Sequence, residues 1–201
     1  MNKQWIYKTP GIPDESFSQS NEVPGPTKEE IRVITISKAR LSEGSIVIDV
    51  GCGTGGLTVE AALQVGTKGR VYSIDEDPAA IKLTTYNVEK FGVKGNVVIA
   101  GGKAPESLIS LPNADAILVG GGGKSLRAIL QIANSKLKPT GRIVVNAILL
   151  ETATAAIEEL KALNYQDIDV THISVAKGKQ IEKGTMMMAR NPITIVSATR
   201  L

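Results

Sequence analysis

The segment Asp49-Val-Gly-Cys-Gly-Thr-Gly-Gly56 carries the clearest chemical signal in the sequence. It follows a short β-branched run, SIVIDV (45–50), and precedes residues that read as a helix. Glycines at such a junction let the backbone take positive φ and approach a ligand closely. The helix beyond them presents free N–H groups. Gly51, Gly53 and Gly56 fit the G-x-G-x-x-G spacing of a dinucleotide loop, and Asp75 lies 19 residues past Gly56, where an acid would bind a ribose. Asp49 points to a different ligand. A carboxylate at the strand end is a poor neighbour for a pyrophosphate but suits a molecule carrying an ammonium and a sulfonium. Asp75 closes the next strand, where it could hold ribose hydroxyls or cap the following helix. Pro78 at the start of that helix makes Asp77 the better cap, which leaves Asp75 for the ligand.

Alternating strands and helices must position these groups. Runs at 45–50, 69–75, 96–100, 115–120 and 142–149 are continuous and apolar, the pattern of strands covered on both faces. Ile81, Val88 and Phe91 mark one intervening helix; Leu126, Ile129, Leu130, Ala133 and Leu137 mark another; Ala153, Ile157 and Leu160 a third. The alternation predicts an α/β fold with a doubly wound, mostly parallel, seven-stranded Rossmann-like sheet. Segments 166–175 and 185–199 close it as an antiparallel pair, because the connection AKGKQIEKG (176–184) is too short and polar for a helix. Residues 1–26 read as an irregular arm, either disordered or laid over a neighbour, punctuated by Pro10, Gly11, Pro13, Pro24, Gly25 and Pro26. Thr27 is expected to cap the first helix, with Glu30 completing a capping box. Nothing divides 1–201, so one domain is expected.

Composition narrows the partners. The 23 basic and 20 acidic residues leave a net charge of +3, without the strongly basic balance of a nucleic-acid binder. Aromatic residues are 3%, too few for a base-stacking platform. One cysteine and one histidine argue against a disulfide framework and a resident metal centre. No apolar run is long enough to span a bilayer and the N-terminus lacks a signal-like stretch, so a soluble cytoplasmic protein is expected.

The D-x-G-x-G-x-G form resembles motif I of the class I S-adenosylmethionine-dependent methyltransferases. Further segments are more discriminating: Val23-Pro-Gly-Pro-Thr-Lys-Glu-Glu-Ile-Arg32, Gly102-Lys-Ala-Pro-Glu106, Ala147-Ile-Leu-Leu-Glu-Thr152 and Gly184-Thr-Met-Met-Met-Ala-Arg-Asn-Pro192. Together they resemble the decarboxylating cobalt-precorrin-6B carbon-15 methyltransferases of anaerobic cobalamin biosynthesis, over about 12–196. The resemblance implies methyl transfer from S-adenosylmethionine to carbon 15 of the tetrapyrrole, loss of carbon dioxide from the ring C acetate, and a homotetramer. It assigns cofactor contacts to Thr27, Gly51, Cys52, Gly53, Thr54, Gly55, Asp75 and Ala104, beside Asp49. Lys103 departs from the pattern, since family members often carry an acid there and a lysine cannot accept a bond from the adenine amino group.

Gly120 and Gly121, after the fourth strand, offer no side chain as a base and would leave room for a large flat substrate. A meso carbon in a conjugated tetrapyrrole is already enamine-like, so catalysis by positioning and electrostatics is expected, with no general base and no catalytic residue named. The substrate's carboxylates call for basic groups, with Arg190 first and Arg32, Lys103, Lys124, Lys177, Lys179 and Lys183 behind it. Glu151 faces the substrate or caps a helix, and Asn146 could line the same edge. Met186 and Met188 suggest core or interface packing, His172 the surface or an interface, and Cys52 a small loop residue. Competing readings are a small RNA or protein methyltransferase, a non-catalytic S-adenosylmethionine-binding subunit, and a nicotinamide-dependent dehydrogenase.

Overall fold

A computed structural model describes residues 5–120 and 122–201. Strands β1 (Ile46–Val50), β2 (Arg70–Asp75), β3 (Val97–Gly101), β4 (Ala114–Val119), β5 (Leu137–Ala147), β6 (Gln166–Ile173) and β9 (Ile193–Thr199) form one sheet in the order β3-β2-β1-β4-β5-β9-β6. Only β9 runs against its neighbours. The helices are α1 (Glu29–Ala39), α2 (Gly56–Val65), α3 (Pro78–Lys90), α4 (Leu126–Lys136) and α5 (Leu150–Ala162).

The two-residue period of the strands sorts the core into two layers. Val47, Val71, Leu118 and Val144 pack with α1, α2 and α3. Ile48, Ile74, Ile117 and Ile143 point the other way and pack with α4 and α5. Both faces are therefore dry, which is why these strands read as unbroken apolar runs. The chain winds outward from β1 to β3, then returns to β4 on the other side of β1. That reversal opens a crevice beyond the carboxyl ends of β1 and β4, the expected ligand position in such a sheet.

Four sequence expectations change. The helix at Thr27 begins instead at Glu29, with no side-chain cap from its own N-cap residue. The Thr27 carbonyl is held by the Arg32 guanidinium, while the Asp14 carboxylate accepts the Glu29 N–H at 2.9 Å. The cap thus comes from the arm, 15 residues away in sequence. The arm itself packs on this same chain, burying Ile12, Phe17 and Val23. Strand β5 starts at Leu137, earlier than its apolar run, so Leu137 opens the strand in extended backbone and does not close the helical face that its spacing suggests. The last apolar segment divides into β8 (Gly184–Ala189) and β9, and β8 pairs with β7 (Ala176–Ile181) in a separate two-stranded hairpin.

Candidate active site

The glycine loop is fixed from three directions. The N–H groups of Gly51 and Cys52 donate to the Ile74 carbonyl at 2.9 and 3.1 Å, tying the loop to the end of β2. Asn87 of α3 donates to the Thr54 carbonyl at 2.8 Å, and Thr84 donates to the Gly53 carbonyl at 2.8 Å. Gly51, Gly53 and Gly55 all take positive φ (77°, 54° and 80°). A Cβ on Gly55 would stand 3.0 Å from the Thr84 side chain, so both backbone shape and space require glycine there.

Two carboxylates face the loop. Asp49 is buried; its Oδ2 accepts the Thr58 hydroxyl at 2.6 Å, and its Oδ1 has no partner among the described residues. Thr58 spends its proton on Asp49, so the Ser73 hydroxyl, 2.9 Å away, must donate to Thr58. Burial pushes the Asp49 carboxyl up to about 6; the Thr58 hydroxyl opposes this and the neighbouring Asp75 charge adds to it. Asp75 accepts the Gly53 N–H through Oδ2 at 2.9 Å and the Asp77 N–H through Oδ1 at 3.0 Å. Each oxygen keeps a lone pair for a ligand. Asp77 caps α3 through Ala79 at 2.9 Å, as its place before Pro78 predicts.

The crevice continues as a trough. A cavity of about 360 Å³ runs from Asp75 past Gly51 and Asp49 to Thr27 and Gly120. At its Asp75 end it meets a second cavity, of about 310 Å³, walled by Ile74, Lys103, Ala104 and Ile129. At its Gly120 end it meets a third, of about 470 Å³, largely apolar and walled by Pro26, Ile31, Ile148, Val175 and Ile193. Lys28, Arg190, Asn146 and Asn191 give this third chamber its polar groups, and among the described residues no carboxylate or imidazole lines it. The trough can hold an elongated ligand with a hydroxylated centre, one flat end and one cationic end, beside a larger apolar partner.

A family model described as a precorrin methyltransferase domain matches residues 17–200. The chain belongs to this family. A relative from Sulfurisphaera tokodaii, named "probable cobalt-precorrin-6B C(15)-methyltransferase (decarboxylating)", is 50% identical over 190 residues, covering 94% of this chain and 97% of its own. One from Pyrobaculum calidifontis with the same name is 48% identical over 194 residues, covering 96% and 98%. The crystal structure of precorrin 8W decarboxylase from Methanobacterium thermoautotrophicum superposes with a TM-score of 0.89 at 43% identity, covering 93% of this chain and 98% of that one. Precorrin-6Y C5,15-methyltransferase from Geobacter metallireducens gives 0.88 at 32%, covering 96% and 100%.

In this precorrin methyltransferase the predicted cofactor residues come together: Thr27, Asp49, Gly51, Cys52, Gly53, Thr54 and Asp75 line the central cavity, and Ala104 and Lys103 the end beyond Asp75. Gly55 stands behind them as the N-cap of α2. The Cys52 thiol is buried, and burial pushes it up to about 12, away from the thiolate form. Gly120 lies where the central cavity meets the apolar chamber; Gly121 lies outside the described residues.

The predicted substrate residues divide. Arg190 and Asn146 line the chamber, but Arg190 is already paired, 2.9 Å from Glu30 and 3.4 Å from Asp14. Glu151 does not join the site: it sits in the first turn of α5 beside Arg127 and Glu158. Arg32 is no rim residue, since it is fully buried between Asp14 and Glu60, at 2.8 Å from each. Lys177 pairs with Glu29 and Glu30, while Lys179 and Lys183 stand out on the hairpin and its turn. Met186, Met187 and Met188 are exposed, not core, because their hairpin leaves the sheet. His172 is exposed on β6 and bonded to Thr194 at 3.0 Å. Sequence reasoning missed Pro24, Lys28, Ile148 and Val175 as chamber walls; the visible signal was an apolar Ile148-Leu149-Leu150 run placed where a loop should be polar.

Proposed function

We propose that this chain methylates carbon 15 of cobalt-precorrin-6B with S-adenosylmethionine and releases the ring C acetate carboxyl as carbon dioxide. The observation that carries the reading is the apolar chamber joined at Gly120 to a trough built for a cationic nucleoside. S-adenosylmethionine supplies, when bound, an electrophilic methyl group on a sulfonium. Its fit rests on Asp49 Oδ1, a buried acceptor with no partner among the described residues. That oxygen would face the ligand's positive end, Asp75 would accept the ribose hydroxyls, and the Ala104 backbone would border the adenine. With Lys103 unable to accept from the adenine amino group, backbone carbonyls of the same loop take that role.

The tetrapyrrole would lay one edge in the chamber, with Lys28 and Arg190 toward its carboxylates. Carbon 15 gives an electron pair to the methyl carbon, and the bond from methyl to sulfur breaks with its pair going to sulfur. The carbon–carbon bond to the ring C carboxylate breaks, its pair returns to the conjugated system, and carbon dioxide leaves. Carbon 15 then gives up its hydrogen as a proton and the side-chain carbon left by carbon dioxide takes one up; the sulfonium's positive charge and the carboxylate's negative charge cancel, so no net proton is exchanged with solvent. The chain's contribution is positioning, burial and charge.

We also infer a homotetramer of single-domain subunits acting in the cytoplasm on a small-molecule substrate, without nucleic acid or membrane and without a resident metal. Exposed Ile181 and Met186 to Met188 on the hairpin supply apolar surface for contact between copies. No helix of the described residues is long and apolar enough to cross a membrane.

Calorimetric titration tests the reading. S-adenosylhomocysteine should bind, and cobalt-precorrin-6B should change its affinity, because the two share the Gly120 opening. Nucleoside binding indifferent to the tetrapyrrole would point to another substrate. Asp75→Ala should weaken nucleoside binding about a hundredfold, on the order of 3 kcal/mol for two bonds to a charged acceptor. Unchanged affinity in the folded variant would remove Asp75 from the ribose.

A further inference from the structure

Arg32 is the largest fully buried side chain in the described residues, and the reaction described above does not use it. All three of its guanidinium nitrogens donate. Nε donates to Glu60 Oε1 at 2.8 Å, one terminal nitrogen donates to Asp14 Oδ1 at 2.8 Å and to the Thr27 carbonyl, and the other donates to the Ile12 carbonyl. The guanidinium carbon lies 4.7 Å from the centre of the Phe17 ring. Three of these partners, Ile12, Asp14 and Phe17, belong to the arm, and a fourth, Thr27, ends it. Glu60 of α2 completes the clasp by accepting the Gly11 and Ile12 N–H groups at 3.1 and 3.2 Å. A Cβ on Gly56 would stand 3.0 Å from Arg32 Cδ and 3.4 Å from the Pro26 ring, so the first residue of α2 is the floor on which clasp and arm rest.

The clasped segment ends inside the cleft. Pro24, Gly25 and Thr27 line both the central cavity and the apolar chamber, and Pro26 lines the chamber. One turn of the arm is thus the wall common to the two compartments. Two carboxylates and two carbonyls make four acceptors, which the five spread donors of a planar guanidinium can meet at once and the three donors on the single nitrogen of an ammonium cannot.

We propose that Arg32 is a positioning residue for methyl transfer: by clasping the arm to α1 and α2 it holds 24–27 as the shared wall, and so sets the acceptor against the methyl donor. The proposal rests on the cofactor reading given above. The glycine loop and Asp75 are held by α3 and β2, not by Arg32, so most of the nucleoside's anchors are independent of the clasp.

Arg32→Lys keeps the charge and loses the fork; Asp14→Asn is the milder companion, since its amide oxygen can still accept the Glu29 N–H. Trp5 is the chain's single tryptophan and packs against the same core layer as the arm, so its emission reports arm docking. Amide hydrogen exchange is measured with and without S-adenosylhomocysteine. In the unaltered protein the nucleoside should protect both 51–55 and 23–27. In Arg32→Lys it should protect 51–55 alone, with Trp5 emission shifted to the red, and Asp14→Asn should fall between. With cobalt-precorrin-6B, kcat should drop about a hundredfold while KM for the methyl donor changes less than about tenfold. Protection of 23–27 and a kcat both unchanged in a folded Arg32→Lys protein would overturn the proposal. So would protection in the unaltered protein at 51–55 without 23–27. Protection at neither segment would overturn the cofactor reading, and the positioning role with it.

Discussion

Asp49 concentrates the tension between stability and binding in one side chain. Its carboxyl is buried, half-satisfied and pushed up to about 6, so ionising it costs the ligand-free fold. The folded state holds a proton that the unfolded chain releases between its ordinary value near 4 and about 6. Stability from this group therefore falls as pH rises through that window, and the penalty is fully present above it. Asp49→Asn should raise the stability of the free protein at neutral pH by about 1–3 kcal/mol, read by denaturant unfolding. The same change should weaken S-adenosylhomocysteine. In the unaltered protein affinity should fall by up to about tenfold per pH unit below 6, and the variant should flatten that profile. A flat profile in the unaltered protein would mean that Asp49 does not meet the ligand's positive end. Arg32 sits at the opposite extreme. Removing its charge by Arg32→Met strands two carboxylates, one of which, Glu60, burial already pushes up, so a loss of about 3–5 kcal/mol is expected in equilibrium unfolding. The ligand role of Asp49 was legible because a carboxylate two residues before a glycine is chemically odd. The burial of Arg32 was not, because its partners, Asp14 and Glu60, are distant in sequence.

Elements succeed here by borrowing from one another. Thr27 and Glu30 have the spacing of a capping box, yet α1 starts later and takes its cap from Asp14. Local spacing cannot reveal that Arg32 already holds the Thr27 carbonyl, or that the folded arm brings Asp14 to the Glu29 N–H. Asn87 on α3 does similar work: its side chain donates to the Thr54 and Ser18 carbonyls and accepts the Ser18 N–H, joining helix, glycine loop and arm. Asn87→Ala would leave these buried groups unpaired. A loss of about 2–4 kcal/mol is expected in thermal or denaturant unfolding, with weaker nucleoside binding as the loop loosens. A variant as stable as the parent would show that water replaces those bonds. The strands were legible because both faces are dry, and Gly92 after α3 because a helix must end. The hairpin was not, since its six-residue strands carry polar and apolar residues without a core to sort them.

At the scale of the whole molecule, the reversal between β1 and β4 decides where chemistry can happen, and the order β3-β2-β1-β4-β5-β9-β6 places both Asp49 and Asp75 at that crevice. The doubly wound sheet was readable from alternation alone; the joining of trough and chamber was not, because the arm and β5 meet there only after folding. The projecting hairpin belongs to assembly in this account. Met186 to Met188 replaced by serine should shift the protein from tetramer to smaller species in light scattering, while nucleoside affinity stays within about threefold, since the glycine loop is not built from the hairpin. A parent protein that is monomeric at high concentration would contradict the assembly.

Mass spectrometry of the product reads methyl transfer and decarboxylation together. Cobalt-precorrin-6B is incubated with the protein and methyl-labelled S-adenosylmethionine. The expected product is a tetrapyrrole that has gained one labelled methyl in place of a hydrogen, at carbon 15, and has lost one carbon dioxide. Unaltered tetrapyrrole beside protein that binds the nucleoside, or methylation with the ring C acetate intact, would contradict the proposed reaction.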